Sequence, residues 1–203
     1  MNVASALPLN AVASAMLLVL ASSCGSAARR NTTVDEQRPR VSDAQTTTRA
    51  RALRVGDRAP ALDVDEWIRC RPIADLEEDK LYVVVFWATW NAPSVASLAH
   101  LSAIQREHAA VTIIAVAANE KRATDASDER AQHVREFLER QGSRVQCRVA
   151  FDAEGSTRAA WADEVGEDAV PRAFLVDRDN RIAWIGHPMQ LEPALHEMLL
   201  EDR

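Results

Sequence analysis

Leu81-Tyr82-Val83-Val84-Val85-Phe86-Trp87 is an unbroken run of apolar, β-branched and aromatic residues. Such a run predicts a strand covered on both faces of a parallel sheet. After Pro93, the residues Val95, Leu98, Leu101, Ser102 and Gln105 recur every three to four positions, which predicts a helix through Glu107. Val111 to Ala117 repeats the buried-strand pattern. Asp128 to Gln141 reads as an amphipathic helix with Val134, Phe137 and Leu138 facing inward, closed by Gly142. Val145 to Phe151 is a weaker strand, and Ser156 to Asp163 a short helix. Ala173 to Val176 and Ile182 to Ile185 flank Asp177-Arg178-Asp179-Asn180, a hairpin signal. Leu191 to Leu200 closes the chain as a helix with Leu195, Met198 and Leu199 on one side.

The predicted order is β-α-β-α-β-α-β-β-α. Helices between the early strands imply parallel neighbours, and the closing hairpin implies an antiparallel edge. The fold class is α/β, with no internal repeat and no second folded domain, over residues 53–203.

The N-terminal quarter follows a different pattern. Residues 1–23 carry no charge, and Ala11 to Ala21 is mostly apolar and ends at Ser22-Ser23-Cys24-Gly25. A short apolar segment before small residues reads as an export signal over residues 1–24, too short for an ordinary membrane span. Ala21-Ser22-Ser23-Cys24 resembles a bacterial lipobox, which would make Cys24 a lipidated N-terminus and tie the protein to a membrane. It departs from that pattern in having Ala21 where Leu is favoured, so a plain cleaved signal, with Cys24 incidental, stays open beside it. A cytosolic protein is the remaining alternative. Residues 25–52 are rich in Arg, Ser and Thr and poor in large apolar side chains, the composition of a disordered linker.

Composition narrows the function classes. Hydrophobic residues make up 47% of 203, enough for a real core. A formal net charge of −6 argues against a nucleic-acid binder. Three cysteines are too few for a disulfide-stapled scaffold. The five histidines and the cysteines show no metal-ligand spacing, and neither a metal nor a cofactor is expected.

Three motifs carry a family resemblance. Val55-Gly56-Asp57-Arg58-Ala59-Pro60-Ala61-Leu62 resembles the leading segment of redoxins. Val84-Val85-Phe86-Trp87-Ala88-Thr89-Trp90-Asn91-Ala92-Pro93-Ser94 resembles a strand, a Trp-Ala-Thr-Trp loop and a Cys-x-Pro-Cys turn. Val170-Pro171-Arg172-Ala173-Phe174-Leu175-Val176-Asp177 resembles a cis-proline loop and the strand after it. From Leu53 to Glu201 the chain is similar to thioredoxin-fold proteins of the TlpA/ResA-like and redoxin (AhpC/TSA) group. The resemblance implies a three-layer fold with a central mixed sheet, helices on both faces, and a C-terminal β-hairpin and helix.

It also implies thiol–disulfide exchange, in which a thiolate at a helix N-terminus attacks a disulfide and a second thiol resolves the product. In this chain those two positions are Asn91 and Ser94. Asn has no ionisable nucleophile, and a Ser hydroxyl forms no disulfide. Asn is, however, among the best helix N-caps, and Pro93 suits a first turn. A buried Asp that thioredoxins place before the Phe-Trp pair is Val85 here. In the resembled family the residue before the cis-proline, here Val170, pairs its backbone with an extended peptide, a form of β-augmentation. Trp90, Asn91, Val170 and Pro171 are therefore the expected peptide-binding groove, with Trp90 the one tryptophan expected at the surface.

Cys70, between Arg69 and Arg71, and Cys147 lie 77 residues apart. Three fates are open to them: a structural disulfide, free thiols, or a displaced redox thiol. The expected function is an exported thioredoxin-like module that binds a protein or peptide and has lost its dithiol chemistry. The alternatives are an oxidoreductase or antioxidant enzyme that uses Cys70 or Cys147, and a structural part of the cell envelope.

Overall fold

All seven residues of Leu81–Trp87, strand β2, are buried in the computed structural model, which describes residues 52–121, 128–161 and 170–200. Leu81, Val83, Val85 and Trp87 enter one apolar cluster, while Tyr82, Val84 and Phe86 enter a second on the opposite face. A strand with a core on each side has no polar face, so its sequence shows no alternation.

The other elements follow in chain order. Strand β1 is Glu66–Arg69, helix α1 Ala92–Glu107, β3 Val111–Ala117, α2 Arg130–Gln141 and β4 Arg148–Phe151. Then come α3 Ser156–Trp161, β5 Arg172–Val176, β6 Ile182–Gly186 and α4 Glu192–Leu200. The six strands lie in the order β1-β4-β3-β2-β5-β6. The pairs β2·β3 and β3·β4 are parallel, whereas β1·β4, β2·β5 and β5·β6 are antiparallel.

The strand order explains where the helices go. From β2 through β3 to β4 the chain steps in one direction, so crossovers of one hand place α1 and α2 on the same face. Leu98, Leu101 and Ile104 of α1, Val134, Phe137 and Leu138 of α2, and Leu195 of α4 share a single cluster. The other face is closed by Trp161 of α3, edge-on to Phe174 at 5.4 Å, and by apolar residues of the segment before β2. This is the three-layer α/β arrangement with a mixed sheet.

Several boundaries differ from the pattern. Strand β1 has no counterpart among the predicted elements; it forms an antiparallel edge on β4 with a bulge between Trp67 and Arg69. Helix α2 begins at Arg130, with Glu129 as N-cap. Gly142, at φ +55°, ends α2 in the left-handed region, and its N–H donates to the Leu138 and Glu139 carbonyls. The 3-10 turn Gly142–Arg144 follows, so β4 starts at Arg148 rather than Val145. A second 3-10 turn, Pro188–Gln190, precedes α4, which begins at Glu192. Residues 162 and 163 of the expected third helix, the signal segment with Cys24, and the linker up to residue 51 lie outside the described residues. No helix among the described residues is long and apolar enough to cross a membrane.

Candidate functional site

Strand β2 delivers the chain to a turn, Ala88-Thr89-Trp90-Asn91, from which α1 departs. The Asn91 side-chain oxygen accepts the Ser94 N–H at 2.8 Å, and its carbonyl accepts the Val95 N–H at 3.1 Å. Asn91 is thus the N-cap, with extended backbone at φ −97° and ψ 108°. Pro93, which has no N–H to satisfy, sits in the first turn. Ser94 is fully buried, and its hydroxyl finds no partner among the described residues. The side chains at these two positions are therefore a capping amide and a buried alcohol, with no sulfur at either.

The turn is held from one side by residues that the sequence pattern does not single out. Thr89 donates its N–H and its hydroxyl to the two carboxylate oxygens of Glu120, each at 2.6 Å. The Trp90 indole N–H donates to the Asn119 carbonyl at 2.7 Å, and the Lys121 ammonium lies 4.5 Å above the ring. The Asn119 side-chain oxygen accepts in turn from the Arg158 guanidinium. The Arg158 backbone N–H donates to Asp152 at 2.8 Å. Burial raises the Asp152 carboxyl above its ordinary value of 3.8, although backbone N–H groups oppose the rise. Trp90, Glu120, Lys121, Arg130 and Arg158 border an open cleft of about 600 Å³ beside the turn. Trp90 itself is 39% exposed, whereas Trp87 and Trp161 are core residues.

Strand β5 brings the second half of the site. It runs antiparallel to β2, and the last aligned pair is Phe86 with Arg172. Pro171 and Val170 extend that register past Trp87 and Ala88, at the end of the sheet where Asn91 stands. The Val170–Pro171 peptide bond is cis. The Val170 side chain is buried in the cluster of Phe86 and Phe174. The loops that carry Trp90 and Asn91, and Val170 and Pro171, thus adjoin the neighbouring strands β2 and β5 at the same end of the sheet.

The model of the family described as Redoxin matches residues 54–198. This chain belongs to the Redoxin family. The redoxin is 31% identical over 152 residues to Protein FixW of Rhizobium leguminosarum, covering 74% of this chain and 68% of that protein. Its fold matches a thioredoxin-like protein solved in the oxidised form at a TM-score of 0.57 with 14% identity, covering 73% of this chain and 99% of that one. It also matches a thiol-disulfide isomerase from Corynebacterium glutamicum at 0.51 with 20% identity, covering 70% and 96%. The fold is therefore thioredoxin-like.

The redoxin's two described cysteines are free and lie away from this turn. Arg148 aligns with Ile114 of β3, and Ile114 with Val84 of β2. Cys147, one residue earlier, is level with Val83, four residues short of Trp87, or about 13 Å along a strand. It is also two strands away from β2 across the sheet. Cys147 is buried in the core, and that burial pushes its thiol up from 9.0 to about 11. Cys70 is exposed at the end of β1, near the same level. Neither thiol shares the helix N-terminus that would make it a ready nucleophile.

Proposed function

We propose that this redoxin is an exported protein that binds an extended polypeptide at Trp90, Asn91, Val170 and Pro171 and no longer exchanges disulfides there. The observation that carries this reading is the hydrogen bond from the Ser94 N–H to the Asn91 side chain, 2.8 Å long. At the helix end where the family's chemistry needs a thiolate, the free N–H is filled by a neutral amide oxygen. The favourable field of a helix N-terminus is worth about 2 kcal/mol at most. That cannot ionise an alcohol near neutral pH, and it has nothing to act on in an amide.

The reading of a polypeptide-binding groove is supported by three features near the same end of the sheet. The Val170–Pro171 bond is cis, Trp90 is exposed within the turn after β2, and the Glu120 clamp fixes that turn. A strand-like segment laid beside Val170 would pair with its backbone, while Trp90 offers an amphipathic ring for side chains. The apolar N-terminal segment supports export to a cell envelope, and the Ala21-Ser22-Ser23-Cys24 pattern supports lipid attachment at Cys24. Radiolabelled fatty acid should enter the wild-type protein and be absent from Cys24→Ser.

Two assays separate loss of redox chemistry from loss of binding. In dithiol-dependent insulin reduction the wild-type protein gives no turnover above buffer, and Asn91→Cys with Ser94→Cys gains it. Activity in the wild type that survives removal of every cysteine would refute the first half of the proposal. For the second half, a reduced and alkylated polypeptide is the probe. Wild type binds it, and Trp90→Ala and Pro171→Ala each weaken binding; equal affinity in all three places the binding surface elsewhere.

A further inference from the structure

Cys70 and Cys147 play no part in the proposed groove, yet the fold fastens their backbones together. Arg69 pairs with Val149 at the end of the β1·β4 ladder. Its guanidinium donates to the carbonyls of Leu138, Gly142 and Val145. On the far side of Cys70, the Arg71 carbonyl accepts from the Arg148 guanidinium at 3.2 Å. Residue 70 is thereby tied, before and after, to positions that bracket residue 147.

The pairing sets the spacing. Continued by one residue, it puts Cys70 opposite Arg148 and one step from Cys147. With strands about 4.8 Å apart and a rise of about 3.3 Å, that diagonal is about 6 Å between Cα atoms, inside the span of a disulfide. Cys70 stands at φ +69°, a region that a cysteine seldom occupies, one residue past a bulge. In that state its side chain is exposed, while Cys147 is buried in the core cluster that also holds Val149. Closure therefore needs the chain around residue 70 to shift, and β1 is an edge strand paired on one side alone.

We propose that Cys70 and Cys147 form a latent cystine, which closes when the protein meets a small disulfide and clamps edge strand β1 to β4. The exposed Cys70 reacts first. Its thiolate attacks one sulfur of RSSR, forming a Cys70–S–S–R bond and expelling RS⁻. Cys147 then gives up its proton and attacks the Cys70 sulfur, forming the intrachain bond and expelling a second RS⁻. The two thiol protons end on the two RS⁻ groups; the chain loses two electrons and the small disulfide gains them. Burial keeps Cys147 protonated until β1 opens, so it acts only as the resolving partner.

The test uses the full chain carrying Cys24→Ser, incubated with oxidised glutathione at about pH 8.5, where thiolates form readily. The expected product is a monomer lighter by two hydrogens, free of glutathione, with one cross-linked peptide pair holding Cys70 and Cys147. Cys147→Ala instead retains one glutathione on Cys70, and Cys70→Ser retains none. Amide exchange across Glu66–Arg69 slows on oxidation in the parent chain and not in Cys147→Ala. A parent chain that keeps glutathione on Cys70 while Cys147 titrates as a free thiol after denaturation overturns the proposal. So does a cross-link found only between chains, or exchange in β1 that oxidation leaves unchanged.

Discussion

A helix N-terminus offers any residue placed there unfilled N–H groups and a partial positive charge. A thiol turns these into acidity, and an amide oxygen turns them into a hydrogen bond. Asn91 does the second, so its worth is read in stability. Asn91→Ala should cost about 1 kcal/mol in urea unfolding, while Asn91→Asp should cost nothing because a carboxylate caps the same N–H and meets the dipole. Ser94 behaves in the opposite way. Its hydroxyl is buried with no partner among the described residues, so it bears a desolvation cost with no bond in return. Ser94→Ala should therefore leave stability unchanged or raise it by up to about 1 kcal/mol. A loss above about 1 kcal/mol in the same unfolding assay would mean that the hydroxyl is bonded in solution.

Elements that build the core are legible in the sequence because their burial is written as periodicity. Strand β2 has seven apolar residues and a core on each face, and Val134, Phe137 and Leu138 mark the inner side of α2. Strand β1 is not legible. Of its four residues, Glu66 is spent on Arg135 and Arg69 on backbone carbonyls, so polar ends flank only Trp67 and Ile68. Its existence depends on the free edge of β4, which lies far off in sequence. The candidate site divides in the same way. Asn91 and Pro171 are read from local motifs, whereas Glu120 and Asn119 act through bonds to Thr89 and Trp90, about thirty residues earlier, and no local signal marks them. The Glu120 clamp gives a test of that hidden half. Glu120→Ala strips acceptors from the Thr89 N–H and hydroxyl, and should cost about 1–3 kcal/mol in thermal unfolding, with Glu120→Gln losing less because one carbonyl acceptor remains. Polypeptide affinity should fall in the same order if the clamp positions Trp90.

On the scale of the whole molecule, the sheet separates two kinds of chemistry. Its carboxyl end after β2 carries the capped turn and the cis-proline loop, while the sulfur lies further down the strands at the β1·β4 edge. The buried sulfur couples the entire fold to alkaline pH. The Cys147 thiol titrates at 9.0 in an ordinary environment and is pushed up to about 11 in the folded chain, chiefly by burial. Below pH 9 both states keep the proton, and the full contribution of the neutral thiol to stability is present. Between about pH 9 and 11 the unfolded chain releases its proton while the folded chain retains it, so unfolding becomes steadily easier. The loss accumulates to the order of 2 kcal/mol by the upper end. Lys and Tyr side chains titrate in the same window, so the reading is a difference: Tm measured under reducing conditions for the parent chain minus that for Cys147→Ala. That difference should be constant up to pH 9 and then shrink, and a flat difference through pH 11 would show that water reaches Cys147 in the native state.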